Sequence, residues 1–180
     1  MIRRTLFGLL WFALFWGKAS IGMSAPSEYQ IKAAYLFNFL NFVAWPEHVF
    51  NDKNSPMDVC ILGQDPFENI LDLTFEGKMI GARKVMIHRW QTMSLTHPCH
   101  LLFIGVSEAE HMTRILALLE DKPILTISDV EDFVHHQGMV QFIIVEHKVR
   151  FRVNRKAIQH ASLYMSANLL RLAQPTEEAK

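Results

Sequence analysis

Cysteine is the scarcest reactive residue in the chain: Cys60 and Cys99 are the only two, so one intramolecular pairing is open to them. Joined, they would close a loop of about 40 residues and stabilise the fold by roughly 3.5 to 4 kcal/mol in the chain-entropy picture. Unjoined, they would pack as two small buried thiols. The residues alone leave both readings open. The run His97-Pro98-Cys99-His100 carries metal-ligand side chains, but Pro98 stiffens it and a tetrahedral site would need ligands from elsewhere. An oxidised Cys99 would offer no thiolate. His135 and His136 are adjacent and point apart in most conformations, so they read as a surface turn rather than a pH switch.

Two further patterns have a functional and a plain reading. Gly63-Gln64-Asp65 follows a strand, where open α/β sheets often bind ligands, and the same residues make an ordinary turn. Lys148, Arg150 and Arg152, continued by Arg155 and Lys156, form a basic face that would suit an acidic partner or lipid phosphates, or stay solvated. A glycine-rich phosphate loop, a nucleophile elbow, a two-histidine metalloprotease helix and a double Cys-x-x-Cys zinc pattern are all absent from the sequence. The sequence therefore assigns no catalytic residue, no metal ligand and no cofactor.

The elements that must position these residues begin at Ser27, an N-cap with Gln30 three residues on as a capping box. Glu28 favours the first turn and is spaced i, i+4 from Lys32. The helix is expected to run from about Glu28 to Ala44 and stop before Trp45 and Pro46. Leu36, Leu40 and Val43 form one apolar stripe and Tyr35, Phe39 and Phe42 another, wider in total than a one-sided surface helix needs. Either both faces are buried within the domain or the aromatic face meets another chain. Tyr35, Phe39 and Phe42, with Arg150 and Arg152, are the candidate partner or dimer surface.

Met57 to Leu62 reads as a buried strand, Phe67 to Leu73 as a short helix, and Val85 to Trp90 and Leu101 to Ile104 as strands. Ser107 caps a helix to about Glu120 with Met112, Ile115, Leu116 and Leu119 inward. The strand Ile124 to Ile127 and a helical turn near Val130 to His135 come next. Met139 to Val145 and Lys148 to Val153 form a hairpin turning at Glu146 and His147, and Asn154 caps a last helix with the stripe Ile158, Ala161, Met165, Leu169 and Leu172. The alternation predicts a three-layer α/β sandwich with a mainly parallel sheet, an antiparallel edge hairpin and helices on both faces.

The amino terminus carries an address. Arg3 and Arg4 precede an apolar run from Leu6 to Gly17, and small residues follow at Ala19, Ser20, Gly22, Ser24 and Ala25. That order is a secretory signal, and its 12 apolar positions fall short of the ~20 a membrane-spanning helix needs. Residues 1–25 are expected to be removed, with the cut after Gly22, Ser24 or Ala25, leaving one domain over 26–173 and a disordered polar tail over 174–180. The signal takes Arg3, Arg4 and Lys18 with it and no acids, so 15 basic face 18 acidic residues in the mature chain, a balance that disfavours nucleic acid as a partner. An oxidising compartment would let a Cys60–Cys99 bond persist.

Several segments, in order, resemble the YfiR-like family of small periplasmic proteins. They are Glu28 to Phe39 with Phe42, Trp45 and Pro46, then Val59 to Gly63, Cys99 to Ile104, Ile124 to Asp129, Gly138-Met139, Val149 to Asn154, and Ser166 to Ala173. The resemblance implies a periplasmic repressor that restrains an inner-membrane diguanylate cyclase through its periplasmic sensor part, lowering cyclic di-GMP and biofilm formation. It also implies an α/β fold that tends to form a homodimer, and a disulfide between Cys60 and Cys99 whose redox state is tied to stability and activity. A second cysteine pair found in some relatives is missing here, and the doublet Gly-Gly expected before the hairpin reads Gln137-Gly138. The alternative function is a periplasmic small-ligand-binding protein, and a third, an enzyme using a cleft beyond the strand ends.

Overall fold

The computed structural model describes residues 25–93 and 97–176. The export signal read in residues 1–25 thus lies outside the described residues but for Ala25, as do residues 177–180 of the expected tail. Ser27 caps helix α1 (Glu28–Phe42) as its sequence expects: its hydroxyl accepts from Gln30 N, and the Gln30 side chain accepts from Ser27 N at 2.7 Å. The helix stops at Phe42 rather than Ala44. Buried, β-branched Val43 takes an extended backbone, and Val43–Ala44 becomes strand β1, paired antiparallel with β9 (Tyr164–Met165).

The main sheet has seven strands in the order β3-β4-β2-β5-β6-β7-β8, where β2 is Met57–Leu62, β3 Met79–Ile80, β4 Arg83–Trp90, β5 Leu101–Ile104, β6 Leu125–Ser128, β7 Val140–Val145 and β8 Lys148–Val153. From β4 to β7 all pairings are parallel, and β3 and β8 close the two edges antiparallel. Every residue of β2, β5 and β6 is buried, the pattern of strands covered on both faces.

Alternation along those strands divides the interior in two. Val59, Ile61, Leu101 and Phe103 face Leu36, Phe39 and Leu40 of α1, α2 (Ile70–Phe75) and the carboxyl-terminal Ile158, Met165 and Leu169. Cys60, Leu62, Leu102 and Ile104 face Met112, Ile115, Leu116 and Leu119 of α3 (Met112–Leu119). This is the three-layer arrangement, with burial of each large side chain worth about 1.5–3 kcal/mol.

Three expected elements differ. Ser107 does not cap α3: its hydroxyl accepts from Gln64 N at 2.9 Å, and Val106–His111 wind as a 3₁₀ turn before the α-helix begins at Met112. The short helix after β2 starts at Ile70 and ends at Phe75, with buried Phe67 ahead of it. The single last helix is two. Asn154 does cap α4 (Arg155–His160), but Ser162 takes a left-handed φ of 56°, β9 follows, and Ser166 caps a new helix, α5 (Ala167–Leu170). Ile158, Ala161, Met165 and Leu169 of the expected stripe are buried; Leu172 is 61% exposed.

The β7–β8 hairpin turns at Glu146 and His147, both at positive φ, as a two-residue hairpin turn requires. Gln174, where the polar tail was expected to begin, donates from its backbone N to Phe151 O at 2.8 Å and lies parallel to β8 beside Arg152.

Candidate functional site

The two ends of the parallel strands carry different chemistry. At the amino ends, β2 places Asp58 and Cys60 on one face, and the parallel register sets His88 of β4 opposite Cys60. Cys60 is bonded to Cys99, with Cα atoms 6.1 Å apart, so the chain ahead of β5 is tied to β2. The next residue, His100, is therefore held over Asp58. Its Nδ1 accepts from Asp58 N at 2.9 Å, and His88 Nε2 meets Asp58 Oδ1 at 2.7 Å. Burial lowers the His100 pKa, the Asp58 carboxylate opposes that and Arg83 adds to it. Phe50 stacks on the His100 ring at 4.7 Å, and the Arg83 guanidinium covers Phe50 from outside at 3.6 Å. The Trp45 indole N–H donates to His100 O at 3.1 Å.

This is a closed polar knot around a covalent tie. With Cys99 in the disulfide, the run His97-Pro98-Cys99-His100 has no thiolate to offer a metal, and no group of three or more His, Cys, Asp or Glu side chains placed to hold a metal ion occurs among the described residues. Asp58 and His88 belong to the knot without having been singled out in the sequence. A signal existed for Asp58, the one acid inside an otherwise apolar strand. None existed for His88.

At the carboxyl ends, the strand order reverses direction between β2 and β5, the place where open sheets usually receive ligands. Here it is filled. Gly63 sits at φ 85°, and any side chain there would collide with Ser107 Oγ. Gly105 N donates to Leu62 O, and a Cβ on Gly105 would lie 2.8 Å from Gln64 O. Asp65 accepts from Phe67 N and from Arg89 Nε, which settles Gly63-Gln64-Asp65 as a turn.

Two strands further along, α1 docks on the sheet through Lys32. Its ammonium is 2.6 Å from both Glu28 Oε1 and Asp129 Oδ2, the first being the expected i, i+4 pair. The Tyr29 hydroxyl donates to the same Asp129 oxygen at 3.1 Å. Burial pulls the Lys32 pKa down, and the bonds to Asp129 and Glu28 more than offset it, so the ammonium is held above its ordinary value. Tyr29 is raised, first by burial and then by Asp129. Asp129 directly follows β6; the sequence assigned it no partner because Tyr29 and Lys32 lie 100 and 97 positions away.

The five residues expected to form a partner surface do not come together. Phe39 is fully buried, edge-on to Phe151 at 5.2 Å and tilted against Phe142, so it belongs to the core. Half-buried Tyr35 stacks beside it on the same two rings. Phe42, the last residue of α1, remains 44% exposed; on the β1–β9 ribbon that follows, Tyr164 is 69% exposed opposite Ala44. Arg150 and Arg152 lie on the other face of β8, since Val149, Phe151 and Val153 take the α1 side. The described residues also form a half-open pocket of about 240 Å³ between α3 and α4, walled by Leu116, Leu119, Met139, Ala157 and Ala161.

No helix among the described residues is long and apolar enough to cross a membrane. Compared with known proteins, no curated sequence matches the chain. A family model described as YfiR/HmsC-like matches residues 29–174, from the first turn of α1 to the segment beside β8.

Proposed function

Because the chain belongs to the YfiR/HmsC-like family, we propose that it is a periplasmic regulator that binds and restrains an inner-membrane diguanylate cyclase, lowering cyclic di-GMP and biofilm formation. The observation that carries this reading is the extent of the family match, which takes in the whole sheet, both ends of it and the Cys60–Cys99 pair. The secretory pattern in residues 1–25 supports the compartment, and the closed switch point between β2 and β5 favours recognition by surface over turnover of a substrate in a crevice. No catalytic step is assigned to it.

A restraining protein shifts its target only by the difference in affinity between the target's two states, about 1.4 kcal/mol per tenfold change. Repression should therefore follow dose. The test is intracellular cyclic di-GMP in a deletion strain complemented with the full-length or the signal-less gene. Full-length complementation is expected to lower the level and the signal-less gene to leave it high. An unchanged level on deletion, with the protein expressed beforehand, overturns the reading. The half-open pocket between α3 and α4 supports a second one, a small-ligand binder; ligand-dependent thermal stabilisation with no cyclic di-GMP phenotype would select it.

A further inference from the structure

The β4 margin of the sheet is open over most of its length. β3 pairs with β4 only at Arg83 and Lys84, so Val85 to Trp90 have a neighbouring strand, β2, on one side alone. Backbone groups alternate sides along a strand. Trp90 O accepts from Gly63 N at 2.8 Å on the β2 side, so Ile87 and Arg89 turn their N–H and C=O outward, where no strand of the described residues lies. Every residue of β2, β5 and β6 is buried; none of β4 is.

Open strand edges are normally defended by charge, proline or a bulge. Val85 to Trp90 contain no proline, and their two polar side chains are drawn back onto the protein. His88 meets Asp58 at 2.7 Å, and Arg89 is held by Asp65, Asp72 and Glu68 O at 2.6–2.8 Å. What stands beside the edge is apolar. Leu73 of α2 is 66% exposed on the layer that covers Val85 and Ile87, while Met79 and Met86, on the other face of the sheet, are 43% and 47% exposed. All three line one open groove of about 740 Å³ between α2 and the β3 and β4 strands. The charges bordering it cancel, Asp72 and Glu76 against Lys78 and Lys84.

We propose that this edge receives an extended, uncharged segment of a partner protein as an added strand, its main chain bonded to Ile87 and Arg89 and its side chains packing alternately on Leu73 and on Met79 and Met86. In such an addition the main chain supplies affinity and the places for alternate side chains supply selectivity. Six residues of open edge span about 20 Å, the length of an ordinary strand. A second copy fits less well. Pairing two β4 strands antiparallel about a twofold sets both α2 helices on the same side of the joined sheet, each against the groove the other strand needs.

The site holds whether or not the partner is a cyclase, so this test and the cyclic di-GMP experiment can fail separately. Isotope-labelled, exported protein would be titrated with a short capped peptide of alternating valine and threonine, with lysine at each end. The control is the same peptide N-methylated at every central residue, which keeps the side chains and removes the donors. Before peptide is added, amide exchange at Ile87 and Arg89 is expected to be roughly tenfold faster than at Met86 and His88, whose amides face β2. The unmodified peptide should shift Val85 to Trp90 and α2 saturably and slow exchange at Ile87 and Arg89, with the N-methylated form binding about tenfold more weakly. Met86→Lys sets an unpaired charge beside the edge at an exposed position and should weaken the peptide several-fold without moving the melting curve, whereas Met86→Leu should bind as the unaltered protein does. No saturable shift, equal binding of the two peptides, or amides of Ile87 and Arg89 already protected in dilute free protein would overturn the proposal. Protection at those two amides that grows with protein concentration, with no peptide present, would overturn the separate partner and make the occupant a second copy.

Discussion

At the scale of single residues, the structure concentrates its costs in a few buried polar groups, and these are where substitutions should hurt most. Lys32 is enclosed with two carboxylates, so Lys32→Met strands Asp129 as a buried charge and is expected to cost about 3–5 kcal/mol in a urea melt. His100 is held neutral: its folded pKa lies below that of the free imidazole, so the unfolded chain binds its proton first as pH falls. Its contribution is therefore complete above about pH 6.5 and is lost as the pH drops through that value. Denaturation at pH 7.5 and 5.5 should show this loss, and His100→Gln should reduce the slope. Equal slopes would mean that other histidines account for it. Removing the disulfide by Cys60→Ser should cost roughly 2 to 4 kcal/mol, and alkylation without reduction, read by mass spectrometry, should find no free thiol in exported protein.

At the scale of elements, what could be read from the sequence was whatever local spacing encodes. The capping box at Ser27, the Glu28–Lys32 pair, the α3 stripe and the hairpin turn at Glu146 and His147 each lie within a few residues and came out as expected. The disulfide was implied by the family resemblance, since Cys60 and Cys99 are 39 positions apart. The rest of the site was hidden for a physical reason: Asp58 meets His88 across 30 positions and Lys32 meets Asp129 across 97, distances fixed only by sheet order. The last helix was misread because its apolar spacing continues through a break set by Ser162 and Ser166, which helical periodicity cannot see. The aromatic face of α1 divides in the same way. Phe39→Ala is expected to cost about 3–5 kcal/mol as a core cavity, and Phe39→Asp to unfold the protein, whereas Phe42→Asp should leave the melting curve nearly unchanged. If Phe42→Asp instead alters the oligomeric state in light scattering, the exposed carboxyl end of α1 is part of the dimer contact.

At the scale of the whole molecule, one sheet supports two cores, and the covalent tie sits at one end of it while the Lys32 ion pair sits at the other. Reduction should loosen the amino ends, raising amide hydrogen exchange around β2 and β5 more than around β7 and β8. Uniform protection in oxidised and reduced protein would show that packing alone holds that end. The sheet must also end somewhere, and its two ends are finished differently. On one side the last strand, β3, is two residues long. On the other, β8 is six residues long, and Gln174 to Thr176 lie along its final third, with the Thr176 hydroxyl donating to Val153 O at 3.3 Å. That short stretch works as a selvedge. It occupies backbone groups that would otherwise recruit a strand from a neighbouring molecule, while Lys148 and Arg150 guard the uncovered part with charge. A chain trimmed before Gln174 should keep its fold and lose its manners in concentrated solution, sticking to copies of itself edge to edge.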